Sequence, residues 1–386
     1  MSKNLLSSDG IKGVYMKKVM VVFGTRPEAI KMCPLIHALQ KKENIKTIVC
    51  VTGQHREMLN QVLDVFAIKP DYDLGIMQKN QTLADITSQI LTKMSDILSQ
   101  ENPNLLLVHG DTSTTYVAAL AAFYMGIPIG HVEAGLRTYN MTSPFPEEFN
   151  RQSVSLMADY HFAPTQAAKE NLLKEGKEAS RIYVTGNTVI DALKTTVRTD
   201  YTHPILDWAQ DSRMILVTAH RRENLGRPMA QMFAAIKRLV DDYEDIKVIY
   251  PVHLNPKIQS LANDILGNHQ RIQLVEPFDV IDFHNLMAES YLILTDSGGI
   301  QEEAPSLGKP VLIMRETTER LEGISAGTSK LVGTNEEKIY RDLKTLLTDE
   351  NVYNLMAKAS NPYGDGLASE RIAAIIEKEI LALTLN

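Results

Sequence analysis

The segment from Tyr291 to Glu303, YLILTDSGGIQEE, decides how the rest of the chain is interpreted. Its first five residues form a short apolar run, which predicts a buried parallel strand. Two glycines follow the strand, and the composition after them favours a helix. A strand, a turn of small residues and a helix present free backbone N–H groups to an anion such as a phosphate. The alternative is an ordinary strand-to-helix turn in which Ser297 caps the helix.

The same alternation of strand and helix runs along the whole chain. Strands are predicted at 18–23, 46–51, 104–108, 127–132, 160–163, 181–185, 214–218, 246–251, 272–275, 291–295 and 311–314. Helices are expected between most of these strands, and a last helix is expected to end near Leu383. This alternation predicts α/β domains with doubly wound parallel sheets. Each half of the chain begins with an apolar strand, a charged turn and a helix, so we expect two Rossmann-like domains that face each other across a cleft.

The chain length and the pattern together predict the division into domains. A chain of 386 residues is long for one hydrophobic core, which favours two domains of similar size. We expect a disordered N-terminal extension, an N-terminal domain, a C-terminal domain and a terminal helical segment, at residues 1–15, 16–186, 187–365 and 366–386 respectively. The hinge is expected at Gly186-Asn187-Thr188.

The composition excludes several classes of partner. The net charge of −7 disfavours nonspecific binding to nucleic acid or to an anionic membrane. The sequence contains no apolar run long enough to span a bilayer, and its N-terminus lacks the apolar core of a signal peptide. The two cysteines, Cys33 and Cys50, form no metal-ligand pattern and are interpreted as buried thiols. We therefore expect a cytoplasmic protein.

Charged or histidine-bearing turns follow five of the predicted strands. Because ligands of open parallel sheets bind at the carboxyl ends of the strands, we expect these turns to meet at one site. The charged side chains near this site are Arg26, Lys31, Asp111, Glu133, Arg137, Glu147, His220, Arg221, Arg222 and Arg320. Each has a simpler interpretation: Arg26 could pair with Glu28, Asp111 or Ser113 could cap a helix, and His220 could be an ordinary hydrogen-bonded histidine.

The combined motifs resemble those of the non-hydrolysing UDP-N-acetylglucosamine 2-epimerases of bacteria. The resemblance extends from Met16 to the last helix and is carried by FGTRPEAIK (23–31), GDTSTT (110–115), HVEAGLRT (131–138), PEEFNR (146–151), TGNT (185–188), TAHRRENLG (218–226), DSGGIQEE (296–303) and RETTER (315–320). It implies the two-domain GT-B architecture, in which the nucleotide binds mostly to the second domain and the last helix crosses back to the first. A homodimer is usual in this family.

The resemblance also implies roles for individual residues. Positions that match the family's diphosphate, ribose, uracil and sugar contacts are Ser297, Gly298, Gly299, Arg320, Glu303, Phe283, Arg26 and Lys31. Asp111, Glu133, Glu147 and His220 match its proposed catalytic positions. Gln54, Glu147, Arg221 and His253 match residues around a second, activating UDP-GlcNAc.

The implied reaction is elimination of UDP to a 2-acetamidoglucal, followed by re-addition with a proton on the other face of C2. It requires no metal or nicotinamide cofactor, and its product would supply N-acetylmannosamine for surface polysaccharide. The alternatives are a hydrolysing relative that releases free N-acetylmannosamine and UDP, a glycosyltransferase of the same fold, and a non-enzymatic nucleotide-sugar sensor. The acidic side chains that would serve the two faces of C2 are Asp111, Glu133 and Glu147, and the sequence leaves their assignment open.

The chain departs from the family pattern at three positions. Leu321 stands where the family usually has proline, which predicts a looser approach to the sugar pocket. Glu57 and Asn80 stand where close relatives are expected to carry Gln and Arg near the activating ligand. Loss of a cation and gain of an anion beside a diphosphate weaken its binding.

We therefore expect weak activation by the second UDP-GlcNAc. The double substitution Glu57→Gln, Asn80→Arg should make the curve of initial velocity against UDP-GlcNAc concentration more steeply sigmoidal, because it restores the expected charge balance beside the second diphosphate. An unsubstituted protein whose curve is already as sigmoidal as that of the variant would contradict this expectation.

Overall fold

The computed structural model describes residues 16–53, 56–78 and 81–382. The first half contains β1 (Lys17–Phe23), α1 (Arg26–Gln40), β2 (Ile45–Val51), α2 (Arg56–Val65), β3 (Tyr72–Asp73), α3 (Leu83–Glu101), β4 (Leu105–His109), α4 (Ser113–Tyr124), β5 (Ile129–Val132), α5 (Glu147–Met157), β6 (Tyr160–Ala163), α6 (Gln166–Lys174) and β7 (Ile182–Val184). The second half contains α7 (Thr188–Thr196), α8 (Pro204–Ala209), β8 (Arg213–Thr218), α9 (Arg227–Asp242), β9 (Ile246–Pro251), α10 (Pro256–Leu266), β10 (Ile272–Val275), α11 (Val280–Glu289), β11 (Leu292–Thr295), α12 (Gly298–Glu303), β12 (Val311–Ile313), α13 (Leu321–Ser325), β13 (Ser329–Leu331), α14 (Glu336–Thr348), α15 (Glu350–Ala357) and α16 (Ala368–Ala382).

Two parallel sheets organise the described residues; six strands of each follow the same order, and the first sheet has a seventh strand, β7, at its edge. The first has the order β3-β2-β1-β4-β5-β6-β7 and the second β10-β9-β8-β11-β12-β13. In both sheets the first strand in sequence lies in the interior of the sheet. The next two strands are added on one side of it, and the later strands are added on the other side. Ligands bind where this direction reverses, which is between β1 and β4 in one sheet and between β8 and β11 in the other. The predicted fold class, two doubly wound parallel α/β domains, is confirmed.

The turn after β1 is fixed by a buried carboxylate. Thr25 is the N-cap of α1, and Glu28 completes its capping box by accepting the backbone N–H groups of Gly24 and Thr25. The other oxygen of Glu28 accepts the hydroxyls of Thr112 and Thr115 at the start of α4, at 2.7 and 3.0 Å. Glu28 therefore joins the first turns of the two helices that flank the reversal point of this sheet.

The helix α16 packs on the first half of the chain. Ile372, Ile376 and Ile380 belong to the same buried cluster as the strand and helix residues of β1 and α1. Lys42 and Glu377 add an ion pair at 2.8 Å. The helix α7 contacts α1, α11 and α12, so it touches elements of both halves. The domain boundaries at residues 186 and 365 stay a prediction, and the expected extension at 1–15 lies outside the described residues.

Several local predictions need correction. The short strand β3, which pairs with the end of β2, is absent from the predicted strands. The expected hinge at Gly186-Asn187-Thr188 leads directly into the buried helix α7, which the sequence analysis missed. The helices and strand between 321 and 357 were also missed. Among the described residues, no helix is long and apolar enough to cross a membrane.

Candidate active site

The turn after β11 is held by Asp296, a fully buried carboxylate. It accepts the backbone N–H groups of His220 and Arg221 and the side-chain amide of Asn224, at 2.9 to 3.2 Å. Burial alone would raise the pKa of Asp296, but the hydrogen bonds and charge of His220 and the backbone donors hold it below its usual value. Asp296 thus ties the turn after β8 to the turn after β11.

Asp296 also orients His220. The His220 Nδ1 atom lies 3.2 Å from Asp296 Oδ1, which leaves Nε2 as the ring nitrogen available to a ligand. The ring stacks on His253 with centroids 6.1 Å apart. The simpler interpretation of His220, a hydrogen-bonded histidine, is therefore correct for Nδ1, while the ring still lines the cleft.

A cleft of about 580 Å³ lies between the two sheets. Arg26 and Lys31 line it from the first half of the chain. The predicted site residues that line it from the second half are His220, His253, Phe283, Ser297, Gly299, Glu303 and Arg320. Nine of the predicted residues, drawn from both halves of the chain, therefore meet in one cavity.

Arg26 does not pair with Glu28, so the simpler interpretation of this arginine is wrong. Its described hydrogen bond goes from Nη2 to the carbonyl of Phe278 in the other half, at 3.4 Å. Burial lowers the pKa of Arg26, partly offset by the charge of Asp279. The guanidinium is thus a cation at the cleft wall with no described carboxylate in hydrogen-bond contact.

The Ser297 hydroxyl does not cap α12, although Ser297 occupies the N-cap position. Its backbone N–H instead donates to Thr295 Oγ1 at 2.9 Å. A Cβ added to Gly298 would lie 3.1 Å from Arg320 Cζ, and one added to Gly299 would lie 3.3 Å from Glu303 Oε1. The two glycines therefore keep Arg320 and Glu303 close to the backbone of this turn.

Glu133 lies at the centre of a buried network of charges. It follows β5 in a left-handed conformation with φ of 63°, which a residue with a Cβ adopts at a cost of roughly 1–3 kcal/mol. Its Oε2 atom pairs with Lys31 Nζ and accepts a hydrogen bond from Asn187 Nδ2 at 2.9 Å. His109 Nε2 lies 3.6 Å from the same oxygen. Burial opposes ionisation, but Lys31 and the neighbouring cations lower the pKa of Glu133.

The network continues into the second half of the chain. Asn187 Nδ2 also donates to Glu302 Oε2 at 2.5 Å, and Arg320 Nε donates to Glu302 Oε1 at 2.9 Å. Burial raises the pKa of Glu302, against the charges of Arg320 and Lys31. The carboxylate predicted to act on the sugar and the arginine predicted to bind phosphate are thereby joined through two intervening side chains.

Asp111 follows β4, beside this network. Its Oδ2 atom accepts a hydrogen bond from Arg151 Nη2 at 2.6 Å. Burial raises the pKa of Asp111 to about 6, with further contributions from Glu133 and Glu147, although Arg151 and Lys31 lower it. Neither Asp111 nor Ser113 is the N-cap of α4, because that position belongs to Thr112. Glu147, half-buried, begins α5.

Some predicted residues lie outside the cavity or outside the described structure. Gly298 and Glu133 do not line the cavity themselves, but each is next to a residue that does: Gly298 to Arg320, and Glu133 to Lys31. Arg221 sits beside Glu319, 3.9 Å from Nη2 to Oε1. Gln54 and Asn80 fall outside the described residues, and the side chain of Glu57 is not described although it belongs to α2.

Sequence reasoning missed Asn187, Glu302 and Asp296 as members of the site. Each lies inside a motif that was singled out, TGNT or DSGGIQEE. The available signal was a second acidic residue beside Glu303 and an acidic residue directly after an apolar strand, since such groups are seldom buried without partners.

The fold and the cleft define a two-domain α/β protein of GT-B architecture that has a charged cavity at the carboxyl ends of both sheets. The family model described as UDP-N-acetylglucosamine 2-epimerase matches residues 37–377. A UDP-N-acetylglucosamine 2-epimerase of Bacillus subtilis is 61% identical over 92% of this chain and 93% of its own length. The chain belongs to the UDP-N-acetylglucosamine 2-epimerase family.

Solved structures agree with this assignment. The crystal structure of a protein described as a UDP-N-acetylglucosamine 2-epimerase from Listeria monocytogenes has a TM-score of 0.91 and 55% identity to this chain. The match covers 95% of this chain and 97% of that one. The UDP-GlcNAc 2-epimerase of Neisseria meningitidis, solved with UDP-GlcNAc bound, has a TM-score of 0.85 and 48% identity, covering 94% of this chain and 100% of that one. The family recognised from the motifs is confirmed.

The electrostatics around Asp111 can be tested without substrate. Replacing Arg151 by Gln should raise the pKa of Asp111, because a cation that favours the carboxylate is lost. Replacing Glu147 by Gln should lower it, because a like charge is removed. Carbon-13 NMR titration of the side-chain carboxyls would measure both shifts. Shifts of the same sign in the two variants would contradict the described arrangement.

Proposed function

We propose that this protein inverts C2 of UDP-N-acetylglucosamine reversibly, giving UDP-N-acetylmannosamine. The observation that carries the proposal is the buried chain of contacts from Glu133 and Lys31 in one half to Glu302 and Arg320 in the other. It connects a carboxylate beside the cavity, Glu133, with a phosphate-binding cation that lines it, Arg320. The solved relative with UDP-GlcNAc bound supports the same substrate.

In this proposal the second half of the chain holds UDP. The backbone at Ser297, Gly298 and Gly299 and the guanidinium of Arg320 bind the diphosphate. The Arg320 guanidinium is already paired with Glu319, Nη1 to Oε1 at 2.5 Å, so a diphosphate would compete with or join that pair. Glu303 binds the ribose hydroxyls. It lies 3.4 Å from His284 Nε2, which keeps its carboxylate at the cleft wall.

Phe283, which also lines the cleft, packs beside the uracil in this arrangement. Aromatic side chains provide large apolar contact surfaces for a base. Arg26 and Lys31 face this half from the opposite wall and bring positive charge towards the diphosphate and the sugar.

The chemistry of the substrate favours elimination over direct removal of a proton. The C2 hydrogen of an N-acetyl sugar has no neighbouring carbonyl carbon, so its removal to a free carbanion is unfavourable. Departure of UDP places positive charge at C1 and makes that hydrogen acidic. The proposed path therefore breaks the C1–O bond, transfers the C2 proton to the protein, and leaves UDP and 2-acetamidoglucal in the cleft. Re-addition of UDP with a proton delivered to the opposite face gives the epimer.

The different electrostatic surroundings of the carboxylates imply different roles in the reaction. Glu133, paired with Lys31, stays ionised and supplies negative charge beside the developing cation at C1 and C2. Asp111, with a pKa of about 6, can hold or release a proton near neutral pH. Glu147 lies near Asp111 and is the remaining proton-transfer candidate. His220 and Arg26 stabilise the departing diphosphate.

The cleft must also keep water away from the intermediate. Water that added to the sugar would release free N-acetylmannosamine, as in the hydrolysing relatives. The non-hydrolysing outcome therefore depends on closure of the two halves around both products. Leu321, which is 62% exposed and stands where the family usually has proline, is a position at which we expect this closure to be looser.

We also propose a cytoplasmic homodimer that supplies N-acetylmannosamine for surface polysaccharide. The two cysteines are buried and free, which agrees with a reducing compartment. Exposed apolar side chains on α4 and α5, Tyr124 at 70% and Leu156 at 77%, provide a surface for a second copy. Light scattering should give twice the chain mass, and a monomer would contradict the dimer.

Incubation with UDP-GlcNAc in deuterated water tests the reaction directly. We expect deuterium at C2 of nucleotide-linked N-acetylmannosamine, observed by NMR, because the group that delivers a proton to the opposite face has exchanged its proton with the solvent. Free N-acetylmannosamine would instead indicate the hydrolysing reaction. No turnover unless an acceptor is added would indicate a glycosyltransferase, and binding with no turnover at all a sensor.

Substitutions test the assigned residues. Asp111→Asn, Glu133→Gln and His220→Asn should each lower turnover by roughly 10²- to 10⁴-fold, the usual contribution of catalytic groups. Thermal stability should change much less than turnover in Asp111→Asn and His220→Asn, whereas Glu133→Gln also leaves the Lys31 charge without its ionised partner and should lower the thermal midpoint. Glu170→Gln, the same change at an exposed position of α6, is the matched control and should leave turnover unaltered. Unaltered turnover in any of the three would show that its role is misassigned.

A further inference from the structure

Asn187 lies at the junction between the two halves, where hydrogen bonds hold both its backbone and its side-chain oxygen. It is the N-cap of α7, where its Oδ1 atom accepts the backbone N–H of Val189 at 3.1 Å. Its own backbone N–H donates to the carbonyl of Tyr363 at 2.7 Å. Only 3% of the residue is exposed. These two bonds fix the backbone and the oxygen side of the amide, so the direction of Nδ2 is fixed as well.

The Nδ2 group of Asn187 faces two carboxylates from different halves. It donates to Glu133 Oε2 at 2.9 Å and to Glu302 Oε2 at 2.5 Å. An amide nitrogen carries two hydrogens, one for each acceptor. A side chain at this position that cannot donate would leave two buried acidic groups facing each other without a hydrogen between them.

Glu302 is in turn held by groups outside this contact. Its Oε1 atom accepts from Arg320 Nε at 2.9 Å, and its side chain is only 5% exposed. Asn361 Nδ2 donates to the Glu302 backbone carbonyl at 2.8 Å. The carboxylate of Glu302 therefore has a fixed position and accepts one of the two N–H groups of Asn187. This contact holds the Asn187 amide in the orientation in which Nδ2 also donates to Glu133.

We propose that Asn187 is a positioning residue that, braced by Glu302, fixes the Glu133 carboxylate in the orientation required at the sugar. This inference rests on the proposed epimerase function, in which Glu133 acts beside C1 and C2. Lys31 is the other close partner of Glu133 and supplies charge from a flexible stem, whereas the short amide is rigid. The direction of the carboxylate thus depends on Asn187 and its charge state on Lys31.

The charged and titratable groups around Glu133 determine what a substitution does. They come from α1, β4, the turn after β4, α12 and the turn before α13, and are Lys31, His109, Asp111, Glu302 and Arg320. His109 is buried and its pKa is lowered to about 4, mainly by burial, so it is neutral near pH 7. A further carboxylate at position 187 would add negative charge to this group and raise the pKa of Glu133.

Asn187→Asp is the direct test, because it keeps the size of the side chain and an oxygen to cap α7 but, in its ionised form, has no hydrogen-bond donor. We expect kcat to fall roughly 10²-fold, the cost of misplacing a reacting group, while KM for UDP-GlcNAc changes much less. Carbon-13 NMR titration should show the pKa of Glu133 raised, and the acid limb of the kcat profile should move to higher pH. The added charge moves both titrations by itself, so the positioning role is tested by the fall in kcat of the folded protein at a nearly unchanged KM, which a purely structural role would not produce.

A second variant separates positioning from simple loss of folding. Asn187→Asp combined with Glu302→Gln restores one amide and one carboxylate between the two halves and returns the net charge to its original value. We expect it to recover the thermal midpoint lost in the single variant. It should not recover kcat, because no donor at position 187 reaches Glu133.

Asn285→Asp is the matched control. Asn285 is equally buried, at 2%, and its amide donates to the carbonyls of Thr196 and Ile281 rather than to a carboxylate. We expect it to lower the thermal midpoint without moving the pH profile of kcat. A shift of that profile equal to the one in Asn187→Asp would overturn the inference.

Two other results would also overturn the positioning role: a wild-type kcat in Asn187→Asp, or a wild-type kcat in the double variant. The kcat of each variant is compared with that of the unsubstituted protein, in which we expect deuterium exchange at C2 of UDP-GlcNAc. Absence of that exchange in the unsubstituted protein would contradict the proposed function itself, while the titration of Glu133 would still report whether Asn187 contacts it.

Discussion

Buried charge that must be paired is the constraint on which this structure depends. Glu133, Lys31, Glu302 and Arg320 lie close together where the two halves meet, with side-chain exposures from 5% to 21%. Each would be strongly unfavourable alone, and removing one partner of a buried pair costs roughly 3–5 kcal/mol. The chain satisfies all four by pairing each acid with a cation and placing the amide of Asn187 between the two acids. The arrangement that stabilises the junction therefore also places Lys31 and Arg320 at the cleft wall, with Glu133 next to Lys31.

The two sheets explain why these groups meet. Both reverse direction next to their central strand, β1 and β4 in one and β8 and β11 in the other. The turns at these four strand ends carry Arg26, Asp111, His220 and Ser297. Buried carboxylates then fix the turns: Glu28 joins the starts of α1 and α4, and Asp296 joins the turns after β8 and β11. Within each half, a buried carboxylate thus holds together the turns that carry the site residues.

Much of the fold followed from the apolar strands and the turns after them, because a buried parallel strand has a strong local signal. The elements that were missed have weaker signals. β3 has two residues, and α7 follows a Gly-Asn-Thr turn that looks like a loop. α14 has a clear apolar stripe of Ile339, Leu343 and Leu346, which was overlooked.

The lining residues of the site could be predicted because they follow strand ends or match motifs. The roles of Asn187 and Glu302 could not be predicted in this way, since their importance comes from contacts across 54 and 115 positions of sequence. The alternatives for Arg26 and Asp111 could be decided only by geometry. A pairing with Glu28 and a capping role are both common, and neither occurs here.

The central claim is that acids of the first half surround the hexose while the second half holds UDP. A crystal structure with UDP-GlcNAc bound measures this most directly. The account predicts carboxylate oxygens of at least two of Asp111, Glu133 and Glu147 within about 3.5 Å of the sugar ring on opposite faces of C2, with the diphosphate on the Ser297–Gly299 backbone and Arg320. A closed cleft in which the ring lies away from both Asp111 and Glu133 would contradict it.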